Sequence, residues 1–315
     1  MIFLRGLLKA EMGRVAQRGA VILLLLSLCW LGHAQAGWKT PRETLDRRLA
    51  SADFHIYYTL EGEHAFAADV PPGQRRETEA RARLVALIEQ LQRADRVYRE
   101  KLSLRPPFAS GRHATGLGID IHILKLDGKS GSTGDELHRF DYRHFPARTG
   151  VIAIALSNRW RPTSLTPAHE LFHAYQYSYT FFKNAWYLEG MARASENFFR
   201  LTQTVTVRLP DSLDELGTLL RESYEASRVW NRIIELCGPG VLAPLLESYD
   251  RLDGAAANAR NIVPTDWPED EQWAEANNAF LFRGLHDTLV APHCSSAAST
   301  EIGAFRALLG AWLSN

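Results

Sequence analysis

The sequence predicts an α+β fold with a small N-terminal sheet, a pair of helices bearing a candidate metal site, and a mostly helical C-terminal lobe. Three strand-like segments lie before residue 160, and helical patterns dominate after residue 200. Between them stands His169-Glu170-Leu171-Phe172-His173, a spacing that acquires chemical meaning on a helix. We expect residues 37–315 to form one domain, with an α/β part (37–160), a helical core (161–255) and closing helices (256–315).

The predicted sheet rests on short segments rich in β-branched and aromatic residues: 53–60 (DFHIYYTL), 118–126 (GIDIHILKL) and 150–157 (GVIAIALS). The Gly/Ser stretch 127–134 (DGKSGSTG) predicts a flexible turn, either a plain connection or a mobile lip over a cleft. The last strand leads through a turn at 158–163 into the helix that carries the two histidines.

Helical periodicity predicts the remaining elements. Residues 74–102 form a long helix with a charged, solvated face and an apolar stripe made of Leu84, Leu87, Ile88, Leu91 and Val97. The histidine helix is expected over 164–179, with Thr163 or Ser164 as its N-cap and Pro167 in its first turn. Its aromatic residues are assigned to the core: Phe172, Tyr175, Tyr177 and Tyr179. Residues 254–270 predict a loop, followed by helices over 272–290 and 300–313.

The chemistry of the central motif follows from helix geometry. Residues four apart lie on one helical face, so the imidazoles of His169 and His173 can grip one metal ion. Glu170 projects beside the pair, where a carboxylate can take a proton from a metal-activated water without being a ligand. A second helix carrying Glu189 could supply a third ligand.

A second motif, Trp186-Tyr187-Leu188-Glu189-Gly190 followed by Glu196, makes the pattern specific. Together the two motifs resemble those of the gluzincin zinc peptidases, in particular the peptidase MA-like group that includes the aminopeptidase N relatives. The resemblance implies a zincin-like fold with one zinc ion held by His169, His173 and Glu189. It also implies that Glu170 is the general base, that Glu196 supports a ligand from outside the coordination sphere, and that the strand at 150–157 borders the substrate cleft. A fully buried core strand is the alternative for that segment, and a surface glutamate is the alternative for Glu196.

A third similarity lies in residues 222–249, where a Tyr-Glu pair opens a helix that ends at a glycine. In the aminopeptidase N relatives the corresponding tyrosine hydroxyl binds the oxyanion of the transition state, which makes Tyr224 the candidate for that role. An ordinary tyrosine of an amphipathic helix is the alternative. The resemblance covers about 90 residues, from Thr166 to Tyr249.

The N-terminus predicts an exported protein. Basic residues precede the apolar run 20–31 (AVILLLLSLCWL), and Ala34-Gln35-Ala36 has the small-x-small form of a cleavage site, so residues 1–36 are a candidate signal peptide. A membrane anchor is the alternative, but the run is shorter than the roughly twenty residues a spanning helix needs. A lipoprotein signal at Cys29 and a start at Met12 also stay open. We expect a periplasmic or extracellular location and no stable membrane insertion.

The remaining cysteines, Cys237 and Cys294, are expected to form a disulfide in an oxidising compartment, with two separately buried thiols as the alternative. The other histidines lack ligand spacing and are expected on the surface or hydrogen-bonded in the core: His55, His122, His138, His144, His286 and His293. Lys plus Arg and Asp plus Glu both total 36, so the charge pattern does not suggest a nucleic-acid partner.

These observations predict a monomeric zinc metallopeptidase that acts on a peptide or protein substrate. An endopeptidase is favoured, because no Gly-Ala-Met-Glu-Asn-type stretch for binding a substrate's free amine is present. The alternative is a catalytically inactive, zinc-containing protein of the cell envelope that binds or assembles partners. Glu170 speaks against that alternative, because a purely structural zinc site needs no base.

Overall fold

In the computed structural model, five strands lie early in the chain and helices make up most of the rest. The structure describes residues 42–109, 111–200, 207–290, 294 and 299–314. The predicted signal peptide and His293 lie outside these residues. The described residues from Glu43 onward form one compact mixed α/β unit, which agrees with the predicted α+β class.

The sheet has the strand order β1-β2-β3-β5-β4. Its strands are β1 (Arg47–Ser51), β2 (Phe54–Tyr58), β3 (Ile119–Leu124), β4 (Gly131–Phe140) and β5 (Arg148–Ser157). β2, β3 and β5 run parallel, and the edge strands β1 and β4 are antiparallel to their neighbours. The inner strands β2, β3 and β5 confirm the three strands predicted from the sequence. β1 gave no sequence signal because most of its side chains are exposed and show no alternation.

β4 corrects the prediction of a flexible turn over 127–134. Gly131 pairs with Leu156 and Ser132 pairs with Ala155 of β5, so the strand begins within that Gly/Ser stretch. Pairing with a buried neighbour overrides the low strand propensity of these residues. β5 lies between β3 and β4, and Val151 to Leu156 are buried, so β5 is a core strand and the strand beside the cleft is β4.

The helices are α1 (Gln74–Arg96), α2 (Thr166–Tyr179), α3 (Ala185–Ser195), α4 (Leu213–Leu219), α5 (Ser227–Cys237), α6 (Leu242–Arg260), α7 (Glu269–Gln272), α8 (Asn277–Thr288) and α9 (Ser299–Leu313). The loop predicted over 254–270 is wrong in its first part, because α6 continues to Arg260 and ends where Asn261 turns left-handed. α8 begins at Asn277, later than predicted.

The N-cap predicted for α2 is also wrong. Leu165 occupies the cap position, and neither Thr163 nor Ser164 caps the helix. The Ser164 hydroxyl is 2.8 Å from that of Thr166 and accepts only a long 3.4 Å bond from the Thr166 amide. Pro167 lies in the first turn, where its missing N–H costs no helical hydrogen bond.

α2 lies at the centre of the molecule, since every residue from Pro167 to Tyr179 is buried. The predicted core aromatics are therefore confirmed as buried. α1 packs against α2 through its predicted stripe, of which Leu84, Leu87 and Leu91 are buried. A π-helical turn follows α1 and places Tyr98 between α2 and α3, the two motif helices. Its hydroxyl donates to the Ala168 carbonyl at 2.8 Å and is 3.3 Å from the Ser195 hydroxyl of α3.

The segment 180–184 joins α2 to α3 and is fixed by buried polar groups. Arg112 donates to the carbonyls of Tyr177 and Thr180, at 3.2 and 3.1 Å. Lys183 forms ion pairs of 2.9 Å with both Asp135 of β4 and Glu269 of α7. Asp253 of α6 accepts a 3.0 Å bond from the Thr180 hydroxyl and longer bonds from the Phe181 amide. The position of α3 relative to α2 follows from these contacts.

The predicted disulfide is confirmed: Cys237, at the end of α5, is bonded to Cys294. The bridge closes a separation of 57 residues, which is worth roughly 4 kcal/mol if its effect is restriction of the unfolded chain. Among the described residues, no helix has the length and apolar character needed to cross a membrane.

The buried carboxyl of Asp253 predicts a stability that falls as pH rises. Burial raises the pKa of Asp253 from its ordinary 3.8 to about 7, against the lowering effect of its bonds with Thr180 and Phe181. Between these two values the folded chain keeps a proton that the unfolded chain has lost, so the free energy of unfolding decreases across that window.

An Asp253→Asn variant cannot ionise, and its free energy of unfolding should therefore fall less than that of the wild type between about pH 4 and pH 8. The free energy of unfolding of the wild type should fall by at most about 4 kcal/mol more than that of the variant, because the pKa of Asp253 differs by about 3 units between the folded and unfolded chain. Urea denaturation at a series of pH values measures it. Asp250→Asn, at an exposed residue of the same helix, is the control. Equal pH slopes in wild type and Asp253→Asn would contradict the assignment.

Candidate metal centre

Two helices bring three potential ligand atoms to one point. α2 presents His169 and His173 one turn apart, and α3 presents Glu189 opposite them. The Nε2 atoms of the two histidines are 3.1 Å apart, and they lie 3.2 and 3.5 Å from Oε2 of Glu189. In the described part of the chain, these are the only three or more His, Cys, Asp or Glu residues grouped closely enough to hold a metal ion.

The spacing of the three atoms fits a small tetrahedral cation. Ligand bonds of about 2.0–2.1 Å in a tetrahedron place neighbouring ligand atoms about 3.3 Å apart, close to the three distances observed. A single proton can bridge only one pair of these atoms, whereas a dication between them would interact with all three. Two imidazoles and one carboxylate are also a ligand set typical of zinc sites that keep an open position.

The other nitrogen of each imidazole is held by an oxygen acceptor. Nδ1 of His169 donates to Oε1 of Glu196 at 3.1 Å, and Nδ1 of His173 donates to Oε1 of Gln176 at 2.9 Å. The Gln176 amide nitrogen donates to the Leu188 carbonyl at 3.2 Å, which fixes the orientation of the amide. In both imidazoles Nδ1 thus carries a proton that is held by the protein, and Nε2 is the nitrogen that faces a metal.

Glu196 lies where the sequence predicted it, whereas Gln176 was missed. Gln176 stands three residues after His173 on the same helix face, a spacing that brings side chains together, and this was the signal available in the sequence. It also links the two motif helices, because its amide group bonds to the backbone of α3.

Charges around the centre favour binding of a cation. Burial alone lowers the pKa of His169, but hydrogen bonds to Glu189 and Glu196 outweigh it and raise the pKa to about 9. Burial likewise raises the pKa of Glu189 and Glu196. Both histidines outweigh burial at Glu189, and His169 with Arg200 and Arg193 outweighs it at Glu196, so both pKa values lie well below the ordinary range, at about 2 for Glu196. Both carboxylates are therefore ionised at neutral pH, and a metal must displace the His169 proton in order to bind.

Glu170 lies beside the three ligand atoms without belonging to their group. The Thr133 hydroxyl of β4 is 2.8 Å from Oε2 of Glu170, and Oε1 accepts no hydrogen bond within the described residues. Burial raises the pKa of Glu170 against the lowering effect of the two histidines. A Cβ atom on Gly131 would lie 2.6 Å from Oε1, so only glycine leaves room for the carboxylate beside β4.

Tyr224 enters the same cleft from a single 3₁₀ turn, Tyr224–Ala226, ahead of α5. Its ring centre is 5.7 Å from that of His169, and half of the residue is exposed. Burial and the negative charges of Glu189 and Glu170 raise the pKa of its hydroxyl, which stays protonated at neutral pH. The motif glycine Gly190 explains this approach, because a Cβ there would lie 2.8 Å from Cβ of Ala226.

The centre opens into a cleft of about 470 Å³ between β4 and the two motif helices. The cleft is lined by Gly128, Lys129, Ser130, Gly131, Ser132, Thr133, Ser164, Leu165, Thr166, His169, Glu170, His173, Tyr177, Glu189, Arg193, Glu196 and Tyr224. All six predicted site residues are in this lining, which means that the fold brings them together.

Four of the remaining histidines lie away from the cleft in other polar contacts or on the surface. His55 is 2.7 Å from an Arg148 nitrogen, His122 is 2.6 Å from the Tyr142 hydroxyl, and His286 is 2.9 Å from Asp287. His144 is exposed.

Comparison with protein-family models, curated proteins and solved structures found no match to this chain.

The hydrogen bond from His169 to Glu196 predicts a specific effect on metal affinity. Glu196→Gln removes the negative charge that orients and polarises the imidazole, so the affinity for Zn²⁺ should fall about 10- to 100-fold. Competition with a chromogenic chelator measures the dissociation constant. Glu222→Gln, which loses an ion pair with Arg228 outside the cleft, is the matched control and should bind zinc as the wild type does. An unchanged affinity of Glu196→Gln for Zn²⁺ would show that Glu196 does not support metal binding through His169.

Proposed function

We propose that the chain is an exported, zinc-dependent peptidase of the gluzincin type, with a zincin-like arrangement of sheet and helices. The observation that carries the proposal is the combination of three converging ligand atoms with the buried carboxylate of Glu170, at the floor of an open cleft. The ligands would be His169, His173 and Glu189.

The position of Glu170 favours a catalytic over a structural zinc site. A structural site is closed by four protein ligands, whereas three ligands here face a cleft wide enough for a substrate. Burying an acidic group that is not a ligand costs free energy and adds no bond to the metal. Its presence is accounted for by proton transfer, and a zinc-containing envelope protein without activity gives it no role.

Each residue can be assigned a step in peptide hydrolysis. When bound, zinc supplies a Lewis acid that makes water more acidic and polarises the substrate carbonyl. Glu170 accepts the proton of the attacking water at Oε1, while Thr133 holds Oε2 in place. Glu170 then delivers that proton to the nitrogen of the leaving amine. The raised pKa of Glu170 suits a group that must both accept and release a proton near neutral pH.

The hydroxyl of Tyr224 would donate a hydrogen bond to the oxyanion that forms as water attacks the carbonyl. Its proton is retained at neutral pH, because the surrounding carboxylates disfavour the phenolate. The cleft lining and the 5.7 Å ring distance from His169 support this role.

The edge strand β4 offers a binding site for an extended peptide. β4 pairs with β5 on one side only, and its first residues line the cleft next to Glu170. A peptide that adds to this edge as a further strand would enter the cleft beside Glu170, which supports peptide bonds as the substrate class. An open strand edge also suits an internal segment of a longer chain, in agreement with an endopeptidase.

The leader at residues 1–36 and the disulfide between Cys237 and Cys294 together support export. Stable structural disulfides form mainly in oxidising compartments such as the periplasm and the extracellular space. The proposed enzyme therefore works outside the cytoplasm as a single catalytic domain over 37–315.

The function is tested with zinc-loaded Glu170→Gln. The amide has nearly the same shape but cannot accept the proton of water, so hydrolysis of an unbiased peptide library should fall by about 10²- to 10⁴-fold. Zinc content, measured by mass spectrometry, should stay at one ion per chain. Glu136→Gln, at an exposed residue of β4 outside the cleft, serves as the control. Cleavage at the wild-type rate by zinc-loaded Glu170→Gln would overturn the mechanism.

A Tyr224→Phe variant separates the hydroxyl from the ring. Losing one oxyanion donor should lower kcat by about 10²- to 10³-fold. Zinc affinity should be unchanged, because the ring that packs near His169 is retained. Steady-state kinetics on the best library peptide measure the effect. A kcat equal to that of the wild type would show that the Tyr224 hydroxyl does not bind the oxyanion and that the residue is an ordinary packing tyrosine.

A further inference from the structure

We propose that the cleft selects peptides carrying a carboxylate next to the scissile bond, and that Arg193 is the residue that binds it. The carboxylate is either an acidic side chain or the C-terminal carboxylate of the substrate. This inference rests on the proposed function and adds the chemistry of the substrate to it.

Arg193 lies one helical turn after the proposed ligand Glu189 on α3 and lines the cleft. Its Nη1 donates to Oε2 of Glu196 at 2.6 Å, while Nη2 and Nε have no protein acceptor among the described residues. The side chain is 44% exposed, so these nitrogens can reach a ligand. The bond to Glu196 holds the guanidinium in place through one nitrogen. Its other nitrogens can then bind a carboxylate in the geometry that guanidinium groups prefer.

The charges of Arg193 and its neighbours are not balanced. Oε2 of Glu196 accepts from Arg200 at 2.7 Å as well as from Arg193, so one carboxylate faces two guanidinium groups. Of the two, only Arg193 lines the cleft. An unbalanced positive charge is thus left at the cleft wall beside the centre.

Lys129 adds a second cation to the lining, and within the described chain its ammonium group has no ion-pair partner. Once a dication is bound, its charge together with those of Arg193 and Lys129 exceeds the negative charge of Glu170, Glu189 and Glu196 by one unit. Such a cleft attracts an anionic substrate and repels a cationic one.

The cleft offers few aliphatic side chains. Leu165 is the one aliphatic residue among the described residues of the lining, and serines, threonines and glycines form much of the rest. A large apolar side chain next to the scissile bond would find little apolar surface to pack against. Selection therefore has to come from polar and charged contacts.

Eight matched peptides test the proposal, with Glu or Gln at each of the two positions flanking the cleaved bond and with a free or amidated C-terminus. The wild type should cleave at least one carboxylate-bearing peptide with a kcat/KM about tenfold or more above that of its neutral counterpart. A preference for Glu in amidated peptides identifies the side-chain carboxylate. A preference for free over amidated termini identifies the terminal carboxylate.

Arg193→Gln and Arg200→Gln form a matched pair, because each removes one guanidinium partner of the same Glu196 oxygen. Any effect on zinc or on the general rate should appear in both variants. The ratio of kcat/KM between Glu and Gln peptides, or between free and amidated ones, should collapse only in Arg193→Gln. Arg193→Lys should keep part of the ratio, and Arg193→Glu should reverse it.

A binding measurement separates this inference from the proposed function. Calorimetry with zinc-loaded Glu170→Gln reports the affinity for the same peptides without turnover. If neutral and carboxylate-bearing peptides bind and react equally, the role of Arg193 is overturned and the peptidase stands. If no peptide is cleaved by the wild type but carboxylate-bearing ones bind selectively through Arg193, the peptidase is overturned and the carboxylate site stands.

Discussion

The candidate metal centre depends on how the segment between α2 and α3 is held. His169 and His173 share one helix and need no help to face the same way, but Glu189 reaches them only if α3 returns at the right distance. The carboxyl of Asp253, the guanidinium of Arg112 and the ammonium of Lys183 fix that return by binding the connecting backbone and the neighbouring elements. Polar contacts buried this deeply are costly to break singly, which makes the spacing rigid.

Local physics made much of the site predictable from the sequence. The helix repeat alone places His169, Glu170 and His173 around one point, and burial of α2 on all sides follows from its aromatic and apolar content. Glu189 needed a second motif, and the sequence left Glu196 either beside a ligand histidine or on the surface, with the bond to His169 shown only by the structure. The inner strands were predictable because their apolar runs are bounded by turn residues.

What the sequence did not reveal depends on contacts distant along the chain. β4 starts in a Gly/Ser stretch whose composition predicts a turn, and only its pairing with β5 and the need for space beside Glu170 explain Gly131. The bond between His173 and Gln176 was visible as a helix spacing but lacks a motif of its own. The charge of Arg193 became meaningful only when its position in the cleft was known.

The central claim is that one zinc ion binds between the imidazoles of His169 and His173 and the carboxylate of Glu189. The most direct measurement is an anomalous difference map from zinc-loaded crystals, with data collected on both sides of the zinc absorption edge. A zinc ion at this site gives one strong peak, about 2.0–2.2 Å from Nε2 of both histidines and from a Glu189 oxygen. A zinc peak bound by other side chains, or no peak among these three in zinc-loaded protein, would contradict the claim.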